Sequence, residues 1–159
     1  MNIRVGFGYD VHQLALGEEL WLGGILLPHE KGAVGHSDAD VLLHVICDAL
    51  LGAANMRDIG FHFPDTSADY KGIDSKKLLA EVMKLIRAEG WEVGNVDTTI
   101  CLQNPKLKDH IPSMRDCVAL VMGTAPSNVS IKATTTEKLG FVGREEGVSA
   151  YCTALILKD

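Results

Sequence analysis

Apolar positions change period several times along the chain, and the changes mark out its elements. Residues 3–14 read as a strand, and 19–27 as one or two short strands broken at Gly23-Gly24. Pro28 to Gly35 reads as a loop. Residues 38–53 are apolar nearly all round a helix, at Val41, Leu42, Leu43, Val45, Ile46, Leu50 and Leu51. A helix of that kind is buried in a core or in a subunit contact. Residues 55–74 show no clear period and carry Gly60, Pro64 and Gly72. So long a loop in a compact domain is usually functional. Residues 75–89 read as an amphipathic helix, with Leu78, Leu79, Val82, Met83 and Ile86 at helical spacing and Gly90 as its stop. Val96, Thr98, Ile100 and Leu102 alternate in a strand. Pro112 opens a helix that runs to about Gly123. Val129, Ile131 and Ala133 alternate in the next strand, and Val148 to Leu157 make the last.

The order β-β-α-α-β-α-β-β predicts an α+β fold, a two-layer sandwich with helices packed on one face of a mixed β-sheet. Both residue sets of the last strand, Val148/Ala150/Cys152/Ala154/Ile156 and Tyr151/Leu155/Leu157, carry apolar groups. That strand is expected to be buried on both sides, which points to an oligomer.

Composition narrows the function. The 159 residues suit a single domain, 1–159, with 47% hydrophobic and 23% charged residues. A net charge of -6 with no Lys/Arg block argues against a nucleic-acid partner. Phosphate groups then have to be held by a metal, by backbone N–H groups or by a few placed cations. Cys47, Cys101, Cys117 and Cys152 show no CxxC spacing and read as buried free thiols of a reducing compartment. No apolar run is long enough to span a membrane, and no signal or transit-like leader is read before the first strand. The expected location is the cytoplasm of a bacterium, with a mature plastid protein as the open alternative.

Several groups of residues are candidates for chemistry. Asp10 and His12 lie two apart in a strand and so point to one side. With His44 on the apolar helix they make one oxygen and two nitrogen ligands with a fourth position open, the pattern of catalytic zinc. Gly35-His36-Ser37-Asp38-Ala39-Asp40 stands where that helix begins. Ser37 reads as its N-cap, with Asp40 completing a capping box. Backbone N–H groups there, with His36 and Ser37, suit a phosphate. Asp40, four residues before His44, is placed to orient it.

The third group is Lys132-Ala133-Thr134-Thr135-Thr136-Glu137-Lys138. Plain β-propensity accounts for three threonines. At a strand end they also suit a phosphate, and Glu137 suits a Mg²⁺ that bridges phosphates. Asp58, Gly60 and Asp65 are turn formers that equally suit the hydroxyls of a polyol. Gln103-Asn104-Pro105-Lys106-Leu107 suits a backbone pocket for a base, and Arg144 in Gly140–Gly147 an anion.

Together these segments resemble the 2-C-methyl-D-erythritol 2,4-cyclodiphosphate synthase family over essentially the whole chain, Arg4 to Leu157. The resemblance rests on Gly8-Tyr9-Asp10-Val11-His12, on His36-Ser37-Asp38-Ala39-Asp40 with His44, on Asp58-Ile59-Gly60 with Phe63-Pro64-Asp65-Thr66, and on Lys132 through Phe141. It implies a homotrimer with active sites between subunits. It implies zinc, one per subunit, on Asp10, His12 and His44, and Mg²⁺ or Mn²⁺ on Glu137 between two phosphates. By the same resemblance His36, Thr135 and Glu137 are catalytic. Ser37 holds substrate phosphate, and Asp58, Gly60 and Asp65 hold the methylerythritol hydroxyls. Gln103, Lys106, Leu107 and Ala133 line a cytosine pocket, and Thr134 grips the diphosphate. Phe141 and Arg144 complete the substrate-binding set. Some members hold an isoprenoid diphosphate in a central apolar cavity near Arg144; with Tyr9 and Tyr151 nearby, that partner stays open.

The implied reaction converts 4-diphosphocytidyl-2-C-methyl-D-erythritol 2-phosphate to the cyclic 2,4-diphosphate with release of CMP, in non-mevalonate isoprenoid biosynthesis. Two readings of other classes compete. A zinc-dependent phosphate-ester hydrolase uses the same Asp-x-His pair to activate water. A non-catalytic trimeric binding protein with structural zinc would ordinarily show four protein ligands, and only three are found.

Overall fold

The computed structural model describes residues 1–159, the side chain of Asp69 excepted. Strands β1 (Asn2–Leu16), β2 (Leu20–Leu22), β3 (Ile25–Leu27) and β4 (Lys31–Ala33) lead into helix α1 (Val41–Ala53). The short α2 (Ile59–His62) and a 3₁₀ turn at Ala68–Tyr70 follow, then α3 (Ser75–Ala88) and β5 (Glu92–Cys101). The chain closes with α4 (Ile111–Met122), β6 (Val129–Thr134), the short α5 (Gly140–Gly143) and β7 (Gly147–Lys158).

The main sheet has the strand order β4-β1-β7-β5-β6. β1 and β7 pair antiparallel from Asn2↔Lys158 to Gln13↔Gly147, β5 runs antiparallel to β7, and β6 parallel to β5. The sheet is therefore mixed, as expected. α1 packs on β1 and β7, α4 on β6, and α3 lies between the two helices. Every residue of α1 except Asp48 and Gly52 is buried. This explains its lack of a polar face: it is the central element of the core.

α1 lies unusually close to the sheet because β1 offers glycine beneath it. A Cβ on Gly6 would fall 1.8 Å from the Ala49 carbonyl oxygen, and one on Gly8 would fall 2.1 Å from that of Val45. Side chains at positions 6, 8, 10 and 12 thus face the helices. The opposite face of β1 carries Ile3, Val5, Phe7, Tyr9 and Val11, all exposed, with Tyr151 of β7 beside them. Tyr9 and Tyr151 have ring centroids 5.0 Å apart.

Several expectations need correction. Pro28 to Gly35 is not all loop: β4 pairs with Leu14–Leu16, and three residues are too few to show a period. The 55–74 stretch contains α2 and the 3₁₀ turn. α1 starts at Val41 rather than 38, because Ala39 has φ 56° and Asp40 is extended. Its N-cap is therefore Asp40, whose carboxylate accepts the Leu43 N–H, and not Ser37. That carboxylate also accepts the N–H groups of Gly23 and Gly24 in the β2–β3 turn. It ties the hairpin to the helix and is not aimed at His44. All four thiols are free, but only Cys47 and Cys152 are buried; Cys101 and Cys117 are partly exposed.

Candidate functional site

Asp10 and His12 reach toward α1 from the helix-facing side of β1, and His44 answers from the first turns of α1. Asp10 Oδ2 lies 3.0 Å from His12 Nε2 and 3.1 Å from His44 Nδ1. The two imidazole nitrogens are 3.0 Å apart. Among the described residues this is the cluster whose ligand atoms all converge on one point. A tetrahedral ion with bonds of about 2.0–2.1 Å spreads its ligand atoms about 3.3 Å apart. Three ligand atoms already close to that spacing, of the oxygen and nitrogen types zinc prefers, fit such an ion with little movement. Burial acts to raise the Asp10 carboxyl, but hydrogen bonds to His12 and His44 outweigh it and hold the group well below the usual carboxylate range. Asp10 is thus a ready anion for a cation.

The cluster opens into a cavity of about 300 Å³ lined also by His36, Ser37, Gly60, Asp65 and Tyr70. His36, Ser37, Gly60 and Asp65 are therefore brought to one cavity with Asp10, His12 and His44. Asp58 does not line this cavity. Its Oδ1 accepts the Phe61 N–H as the N-cap of α2. The wall carrying His36 and Ser37 is clipped to the chain before α3. Gly72 N–H bonds to the His36 carbonyl and Asp38 N–H to the Ile73 carbonyl, at 2.7 and 3.1 Å.

A second cavity, about 400 Å³, is lined by Pro105, Lys106, Leu107, Ala133, Thr134 and Thr135, among others. Gln103 stands aside from it, its Oε1 accepting the Lys138 N–H. Thr135 Oγ1 and Glu137 Oε1 are 3.2 Å apart just beyond the strand end. Phe141 and Arg144 line neither cavity; Arg144 is exposed and paired with Glu146 at 2.7 Å.

The two cavities lie at the same end of the sheet. Asp10 pairs with Ala150, Ala150 with Ile100, and Ile100 with Ala133. They are separated by three strand spacings, roughly 14 Å at about 4.8 Å each. One chain therefore presents two separate cavities.

Sequence reasoning missed Ser75 and Asp38. The Ser75 hydroxyl oxygen lies 3.0 Å from His44 Nε2, and Ser75 is fully buried. A signal was present, since a serine opens α3 there, but nothing in the spacing links it to His44.

Residues 3–157 match the model of the YgbB family. The chain is 68% identical over 159 residues to the 2-C-methyl-D-erythritol 2,4-cyclodiphosphate synthase of Bacteroides thetaiotaomicron, covering all of both chains. A solved 2C-methyl-D-erythritol-2,4-cyclodiphosphate synthase in a CDP-bound form superposes with a TM-score of 0.90 at 34% identity, covering 97% of this chain and all of that one. The bifunctional IspDF of Campylobacter jejuni superposes at 0.94 with 39% identity; 98% of this chain is covered but only 42% of that longer one.

Proposed function

The chain belongs to the YgbB family, and from that premise we propose that it is a cyclodiphosphate synthase. It converts 4-diphosphocytidyl-2-C-methyl-D-erythritol 2-phosphate to 2-C-methyl-D-erythritol 2,4-cyclodiphosphate and CMP. The observation that carries the reading is the convergence of Asp10, His12 and His44 at the mouth of the cavity that also holds His36, Ser37, Gly60 and Asp65.

The substrate's 2-phosphate attacks its own β-phosphorus. One P–O bond forms there and the bond to CMP breaks, so atoms balance without a protein nucleophile or water. The phosphate is already ionised near neutral pH, so no general base is required. The obstacles are the flexible chain between the reacting groups and the repulsion of two anions. Fixing such a chain lowers a barrier by roughly 7–11 kcal/mol in favourable cases.

His36 and Ser37 bind the attacking phosphate on the wall beside the ligand cluster. Gly60 and Asp65 receive the methylerythritol hydroxyls. Ala133, Lys106 and Leu107 hold the cytosine, and Thr134 and Thr135 the diphosphate. Zinc on Asp10, His12 and His44, and Mg²⁺ or Mn²⁺ on Glu137, supply charge neutralisation on the phosphates when bound. The names of the relatives favour cyclisation over simple hydrolysis.

The outer face of the sheet supports a homotrimer. Ile3, Val5, Phe7, Tyr9 and Val11 form a contiguous exposed apolar row on β1, a surface that monomers rarely leave open. With three copies packed through this face, the metal half-site of one chain meets the cytosine half-site of its neighbour. Bacterial relatives fit a cytoplasmic enzyme.

Phosphorus NMR of the protein with zinc, Mg²⁺ and the diphosphocytidyl substrate tests the reading. Paired signals of a cyclic diphosphate with stoichiometric CMP are expected. Release of inorganic phosphate or CMP with no cyclic product would make it a hydrolase instead.

A further inference from the structure

The hydrogen bonds behind His44 settle which of its nitrogens faces the cluster. Asp38 Oδ1 accepts the Ser75 O–H at 2.5 Å, and Asp38 Oδ2 accepts the Ser75 N–H at 2.9 Å. A serine hydroxyl has one proton, and here it is committed to the carboxylate, which has none to return. Toward His44 Nε2, 3.0 Å away, Ser75 Oγ can only accept. Nε2 must then carry a proton in every form of the ring, so the neutral ring that binds a cation has its lone pair on Nδ1; without a cation, a second proton on Nδ1 is what bonds to Asp10. Nδ1 is the nitrogen turned toward Asp10 and His12.

The structure assigns Ser75 and Asp38 as positioning residues that lock His44 in the tautomer and ring orientation a metal needs. This rests on reading Asp10, His12 and His44 as metal ligands. Neither residue lies against the ligand atoms: Ser75 acts through the far side of the imidazole, and Asp38 acts through Ser75. A ring free to take either tautomer would hold its Nδ1 lone pair toward the cation less often, or turn away from it. A carboxylate behind the chain also makes the imidazole a stronger donor.

The arrangement extends to Ser37. Its Oγ lies 3.2 Å from His44 Nε2 and accepts the Ala39 N–H at 3.1 Å. Nε2 has a single proton, which Ser75 Oγ and the more distant Ser37 Oγ share, so Ser37 Oγ faces it as an acceptor, as it does the Ala39 N–H. Its own proton is left free for an anion in the cavity it lines. The same carboxylate that orients the metal ligand therefore also sets the direction of the phosphate-binding hydroxyl. Asp38 additionally accepts the Asp40 N–H at 3.1 Å, so the 36–40 segment, the start of α3 and His44 are held as one unit.

Zinc affinity, measured by competition with a chromophoric chelator, tests the assignment without reference to turnover. Ser75→Ala keeps the Ser75 N–H bond to Asp38 and removes only the hydroxyl. Its zinc dissociation constant is expected to rise about 10–100-fold, with the melting temperature of the metal-free protein nearly unchanged. With Co²⁺ in place of zinc, its visible absorption bands should shift. In the zinc-loaded parent protein, imidazole ¹⁵N NMR should show a slowly exchanging proton on His44 Nε2, which exchanges rapidly in the variant. The parent measurement stands even if the variant fails to fold. Parent-like zinc affinity in Ser75→Ala, or a His44 bound through Nε2, would overturn the assignment. A parent protein that binds no zinc would instead sink the metal site itself.

Discussion

Gly8 and Val45 touch where no side chain can stand: a Cβ at position 8 would lie 2.1 Å from the Val45 carbonyl oxygen. The obstacle is helix backbone, which cannot swing aside as a side-chain tip can. Val45 adjoins His44, so moving the helix moves that imidazole relative to Asp10 and His12. Gly8→Ala is expected to destabilise the protein by about 1–3 kcal/mol or more and to weaken zinc binding. Denaturant unfolding with a zinc titration checks both. Parent-like values for the pair would mean that α1 can ride higher on the sheet without consequence.

His44→Ala leaves two ligands where three converged. We expect most zinc to be lost and CMP formation to fall nearly to background, with far-UV circular dichroism retained. Asp10→Asn, which removes the anion of the set, should behave alike. Full zinc occupancy in purified His44→Ala protein contradicts the assignment.

Glu137 sits beside Thr135, far in the sequence from the zinc ligands. Glu137→Gln is expected to slow turnover and shift the Mg²⁺ titration to higher concentration while zinc content stays at the parent level. An unchanged titration reduces Glu137 to a surface charge.

The two cavities lie three strands apart, and if they are the halves of one site, as proposed above, a second chain has to close each pocket. Light scattering at micromolar concentration should give three times the 17.2 kDa chain mass. Dissociating and reassembling His44→Ala with Glu137→Gln should restore part of the activity, because some interfaces then pair two intact halves. A monomer mass refutes the assembly. A correctly sized mixed trimer with no recovery places each site within one chain.

Burial, with a smaller contribution from Asp97, pushes the Cys152 thiol up to about 12, and burial raises Cys47 as well. Neither supplies thiolate near neutral pH. A thiol reagent should therefore titrate no more than Cys101 and Cys117 in the native protein, and all four cysteines in denaturant. Rapid modification of Cys152 in the folded state would show that the core opens readily.

The long periodic elements were legible because burial imposes a period: α1, α3 and the alternation in β5 to β7 follow from where apolar residues fall. β4 was not, since three residues on a sheet edge carry no period. The start of α1 was misread because Ser37 and Asp40 both suit a cap. The choice depends on Ala39 taking a positive φ and on Gly23 and Gly24 arriving from elsewhere to share the Asp40 carboxylate. Asp10 and His12 were legible as a pair because a strand fixes their common side. Ser75 was not, because its bond to His44 crosses 31 residues and depends on how α3 docks. For Asp58 and Gln103 the spacing did not reveal that their side chains accept backbone N–H groups, of Phe61 and Lys138 respectively.

Strand β1 carries two programmes in one alternation. Its inward positions hold the two glycines with Asp10 and His12; its outward positions hold Ile3, Val5, Phe7, Tyr9 and Val11. A slip of one residue against β7 would exchange the sets entirely. Phe7 and Tyr9 would be driven into space that admits only hydrogen, while Asp10 and His12 turned outward. Such an error cannot yield a sound but inactive protein, because the same slip that misplaces the ligands also forbids the helix from docking. A chain that folds at all therefore arrives with Asp10 and His12 on the helix-facing side, where His44 meets them.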